Sequence, residues 1–202
     1  MRLPDFDLTG PASTFWAVFL GAFLATIGAL IAGQVEDVFR RRGAERHAAL
    51  LFGEVLATLG VLLRIVEEVK GYGDPYGPVT IRMLRSARRE VEVYDRNRET
   101  LYILRDGDLR VRLHTSILRL TMPLEGVIEG HEAILAHQAA LKTAKDAERA
   151  ELERLIAEEV ERREQGFAFV MDQRERLSEL TKELGRIARH DFRATRAVTT
   201  AG

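Results

Sequence analysis

From Phe15 to Gly33 the chain carries no charged residue, and Thr26 is its one clearly polar side chain. A helix over this run, rising ~1.5 Å per residue, matches the ~30 Å hydrocarbon thickness of a bilayer. A soluble core helix of that length normally keeps a polar face, and this run has none. A cleaved signal peptide needs a basic start and a short apolar stretch. Here two aspartates outnumber one arginine in the leader Met1 to Asp7, and the apolar run is longer than such a segment. The expected element is therefore an uncleaved transmembrane anchor. Arg40, Arg41, Arg42 and Arg46 follow it closely. Lys and Arg beside a span stay on the cytoplasmic side, so the long C-terminal part is expected in the cytoplasm, with the N-terminus outside. Trp16 at one end, with the four arginines at the other, is the expected membrane flank.

Gly21, Ala25, Gly28 and Ala32 recur on one face of that helix. Small residues in such a row admit a second transmembrane helix, which makes self-association one option. Gly and Ala are also simply common in membrane helices.

The rest of the 202 residues leaves room for one helical domain with a modest core. The charged share of 30% and hydrophobic share of 46% suit a folded helical domain. Absence of cysteine excludes disulfides, thiolate metal sites and cysteine nucleophiles. Arginines from Arg82 to Arg119 dominate one stretch, but Glu90, Glu92, Asp95 and Glu99 interrupt them and stacking aromatics are few. Such a face reads as ion-paired or solvated, and nucleic acid is not an expected partner.

Residues 48–66 form the second most apolar stretch, broken by Glu54 and Arg64. A charge near the bilayer centre is costly, so a buried helix of a cytoplasmic bundle is expected, with Glu54 as a buried polar group paired to an arginine of the following helix. The competing arrangement is a second span, forming a hairpin around the arginine cluster. Gly71 to Pro78 ends this helix, and Pro78 opens the next. Tyr72 and Tyr76 on that loop either form a docking tip or pack over the bundle end. Ile81, Leu84, Val91, Tyr94 and Leu101 mark one apolar face. Gly107 is expected to close that helix and Asp108 to cap the next, which Pro123 should kink or split. A turn is placed at Thr143 to Asp146. The last helix carries a near-heptad from Leu152 to Ile187, which fits packing in its own bundle or a coiled coil. The domain reading is an anchor with basic flank over 1–43, a bundle over 44–190 and a flexible tail over 191–202.

Chemistry is not legible. His131 and His137 are six apart, whereas a zinc helix needs spacing of four. Neither a phosphate loop nor a serine elbow occurs. No catalytic, cofactor or metal residues are expected. In layout (one span, an arginine run, a Leu-rich helix such as Leu50 to Leu56, then helices with a Tyr and a Leu/Ile stripe) the chain resembles a loose group of uncharacterised bacterial single-pass membrane-anchored helical proteins. That resemblance implies an inner-membrane location. The expected class is all-α: an N-terminal transmembrane helix and an antiparallel cytoplasmic bundle of about four helices, acting as a non-enzymatic interaction or tethering module. Its expected partners are the lipid bilayer and another membrane or cytoplasmic protein. The alternative is an oligomeric pore or transport accessory with two membrane segments.

Overall fold

The computed structural model describes residues 11–72 and 74–192, with side chains from residue 18 onward. Helix is the sole regular secondary structure among the described residues, which contain no strand. Four α-helices, α1 (Pro11–Lys70), α2 (Pro78–Arg96), α3 (Gly107–Leu141) and α4 (Asp146–Ala188), are joined by short loops, with a 3-10 helix at Arg98–Ile103. The chain divides into two units, Met1–Ala44 and Glu45–Gly202.

α1 passes through Gly43 without a break. One glycine costs ~1 kcal/mol against alanine, and the flanking Arg41, Arg42, Ala44 and Glu45 are strong helix formers that offset it. In the first unit the apolar side chains stand exposed, among them Val18 (67%), Leu24 (59%) and Leu30 (64%).

The second unit has one hydrophobic core. α1 supplies Phe52, Val55, Leu56, Leu59, Leu63 and Val66, spaced by three and four so that they share a face. α2 adds Ile81, Leu84, Val91 and Tyr94, and α3 adds Leu109, Leu113, Ile117, Leu120, Leu124 and Val127. α4 contributes Phe167, Val170, Leu177, Leu180 and Leu184. Short loops between successive helices favour antiparallel neighbours. Arg85 reaches Glu132 at 2.8 Å while Arg88 reaches Glu125 at 2.7 Å. Arg46 Nε donates to the Ala188 carbonyl at 2.7 Å, near one end of α4, and Lys70 Nζ lies 3.4 Å from Glu164 further back along it.

Several local expectations are corrected. α2 stops at Arg96, well before Gly107. Asn97 Nδ2 donates to the Val93 carbonyl at 2.7 Å, a local bond that competes with helix continuation. The 3-10 helix then carries Leu101 into the core. Asp106, one residue from Gly107, is the cap of α3: its Oδ1 accepts from the Asp108 and Leu109 amides at 2.9 and 3.1 Å. Asp106→Ala should lower stability by about 1 kcal/mol in denaturant titration, whereas Asp108→Ala, which removes only an exposed i,i+4 pair with Arg112, should cost about 0.3–0.5 kcal/mol. Pro123 does not split α3. The α3–α4 turn falls where Thr143 and Asp146 placed it, but Thr143 caps nothing; its hydroxyl donates back to the Ala140 carbonyl at 3.2 Å. Phe192, expected in a flexible tail from 191, is 6% exposed and part of the core. Residues 193–202 lie outside the described residues.

Candidate interaction surfaces

Of the expected membrane flank, Trp16 lies in α1 with its side chain outside the described residues. Arg41 and Arg42 are exposed, and Arg40 pairs with Asp37 at 2.7 Å. Arg46 stands apart from them, since its bond to Ala188 satisfies a terminal carbonyl of α4. Gly21, Ala25, Gly28 and Ala32 are exposed, and a Cβ on Gly21 or Gly28 would meet nothing within 4 Å. The first unit therefore presents an uncovered apolar helix with a small-residue row and a basic end.

Glu54 is exposed, which corrects its expected burial. It falls between the core positions Phe52, Val55 and Leu56 on the outer side of α1, so its carboxylate needs no buried arginine. Instead it lines an open groove of about 1240 Å³ between α1 and α4. Ala57, Gly60 and Val61 form part of the α1 wall; Arg174, Lys182, Arg186 and Arg189 line the α4 side. Phe192 closes one end, its ring seated where Gly53 and Gly185 leave room.

The two loop tyrosines part company. Tyr72 is 90% exposed, while Tyr76 is 3% exposed and meets Phe167 edge-on at 5.7 Å. The Arg163 guanidinium lies 3.6 Å from the Tyr76 ring centroid, and Lys70 Nζ sits 3.9 Å from that of Phe167. This cation–aromatic layer over the bundle end had no signal in the sequence, because a loop residue has no periodicity to betray its orientation. Burial pushes the Tyr76 phenol up beyond its ordinary range.

His131 borders this layer. Its Nδ1 is buried with no hydrogen-bond partner among the described residues. Burial, with the Arg163 and Arg85 charges, holds its imidazole below the usual value of 6.5, against the opposing pull of Asp74 and Glu132. The unfolded chain thus binds the proton more readily, so this contribution is present above about pH 6.5 and is lost as pH falls through the lower, folded value. Denaturant midpoints should drop as pH falls below about 6.5, and His131→Gln should flatten that part of the profile.

Near the other end, Tyr94 Oη and His114 Nδ1 are 3.0 Å apart, and Arg98 lies 3.2 Å from the other ring nitrogen. Burial raises the Tyr94 phenol to about 12, so it remains neutral. Among the described residues no group of three or more His, Asp or Glu is placed to hold a metal ion.

Among the described residues, fold and surfaces are those of an all-helical protein with one helix long and apolar enough to cross a membrane. No protein-family model, curated protein or solved structure matches the chain.

Proposed function

We propose that the chain is a membrane-anchored helical interaction module, held in a bacterial inner membrane by α1 residues 15–33 and presenting the unit from Glu45 onward to protein partners in the cytoplasm. The observation that carries this reading is the uncovered state of the first unit. Val18, Leu20, Phe23, Leu24, Leu30 and Ile31 are all more than half exposed around the helix. Fully removing each such side chain from water is worth ~1.5–3 kcal/mol, so a contiguous band of them calls for a covering phase. An apolar run of this length fits hydrocarbon. Arg40, Arg41 and Arg42 supply the positive charge that holds the following segment inside. The second unit supports the module reading through its exposed helical groove, which offers a surface for association.

Two measurements test this together. After alkaline extraction the full chain should remain with the membrane pellet, and a reporter fused after Gly202 should be active only in the cytoplasm. Recovery in the aqueous extract would remove the anchor, and reporter activity outside the cell would reverse the orientation.

A further inference from the structure

We infer that the groove between α1 and α4 is the docking site for one amphipathic helix of a partner protein, with an acidic flank. The inference rests on the reading of the chain as an interaction module and names the site and the chemistry of the partner. Between Ala48 and Val66, α1 is apolar around its whole circumference, with Glu54 and Arg64 its only charges. A helix apolar all round is one that is covered all round. The core covers the side bearing Phe52, Leu59 and Leu63. The other side, where Glu54, Ala57, Val61 and Arg64 recur at three and four, lies open along the groove.

The trench is shaped for a backbone. Ala57 and Gly60 are small, and a Cβ at Gly60 would meet nothing within 4 Å. Its α4 wall carries cations from Arg174 to Arg186, a length of roughly 18 Å at ~1.5 Å per residue, which about three turns of a helix would follow. Charge selects the occupant. Arg64, Arg174, Lys182, Arg186 and Arg189 line the groove against Glu54, Glu175 and Asp191. Among these cations Arg174 is neutralised by Glu67, while Arg64, Lys182, Arg186 and Arg189 have no carboxylate partner among the described residues. An apolar stripe flanked by Glu or Asp satisfies both the trench and its rim; a basic helix satisfies only the trench.

The test titrates the full chain in phosphatidylcholine nanodiscs with a fluorescent synthetic helix of about sixteen residues, long enough to follow α4 along the groove. The probe carries a Leu stripe flanked by Glu, and its twin carries Lys in place of every Glu. The Glu helix should bind saturably and the twin should not. Arg64→Glu combined with Arg186→Glu should weaken the Glu helix by about tenfold or more and admit the Lys twin. Val61→Trp, which fills the trench without changing its charge, should abolish binding while the helical circular dichroism stays intact. Absence of saturable binding, equal binding of both helices, or loss of the site when phosphatidylglycerol is added to the disc, as for a groove occupied by anionic lipid, would each overturn the assignment. The same titration in dodecylmaltoside separates the two readings. A chain that fails to enter discs but binds the Glu helix in detergent loses its anchor and keeps its groove. A chain that enters discs and binds in neither medium loses the groove alone.

Discussion

Leu24→Asp combined with Ile27→Asp should release the chain from the membrane fraction. Each carboxylate near the middle of a span costs ~2.5–3.5 kcal/mol on insertion scales, so the pair costs on the order of 5–7 kcal/mol. In the first unit both side chains are exposed, Leu24 at 59% and Ile27 at 37%, so the exchange removes no packing there. The core of the second unit draws nothing from residues before Ala48, and its helical content should survive. Thr58→Asp, also at an exposed position on the same helix but in the second unit, should leave the chain in the pellet. Retention of the double variant after alkaline extraction would mean that something other than α1 residues 15–33 holds the chain at the bilayer.

The second large effect concerns Phe192. A Cβ placed on Gly53 would lie 2.1 Å from this ring, and one on Gly185 would lie 2.7 Å from the His190 carbonyl. Arg189 turns the chain out of α4 with φ of 54°, the left-handed conformation that brings Phe192 back onto α1. Phe192→Ala should cost about 3 kcal/mol, the low end for emptying a buried phenylalanine site. Gly53→Ala must displace the ring and forfeits most of that contribution, offset by ~1 kcal/mol from the better helix former, for a net loss of about 1–2 kcal/mol. With the ring already removed, Gly53→Ala should become stabilising by up to ~1 kcal/mol. Thermal or urea melts of the four proteins in one detergent supply the cycle. An additive cycle, with Gly53→Ala destabilising in both backgrounds, would show that Phe192 does not occupy that slot.

This contact shows why part of the fold was unreadable in one dimension. Gly53 and Phe192 lie at opposite ends of the bundle sequence, and nothing local at either residue names the other. Glu54 is a similar case. The segment around it is apolar on all sides, so its periodicity does not say which side faces the core, and the expected burial falls where the helix is exposed. Local signals fared better. Pro78 begins α2, and the core takes up Ile81, Leu84, Val91 and Tyr94 of the predicted face, while Leu101 reaches it from the 3-10 helix. The break before α3 was legible from Asp106-Gly107-Asp108, though the aspartate that caps it was not, because both can offer an oxygen to the next turn.

Sequence alone determined that the chain would be helical, that its most apolar run could span hydrocarbon, and where proline and capping residues punctuate the later helices. Those are short-range matters, decided by side-chain polarity, φ restriction and hydrogen bonds within a turn. Tertiary structure decided that α1 runs unbroken across Gly43, that Tyr76 is buried while Tyr72 is exposed, and that α1 and α4 leave a groove with a basic α4 wall. Each of these depends on many small terms summed across residues far apart in the chain, and only packing performs that sum.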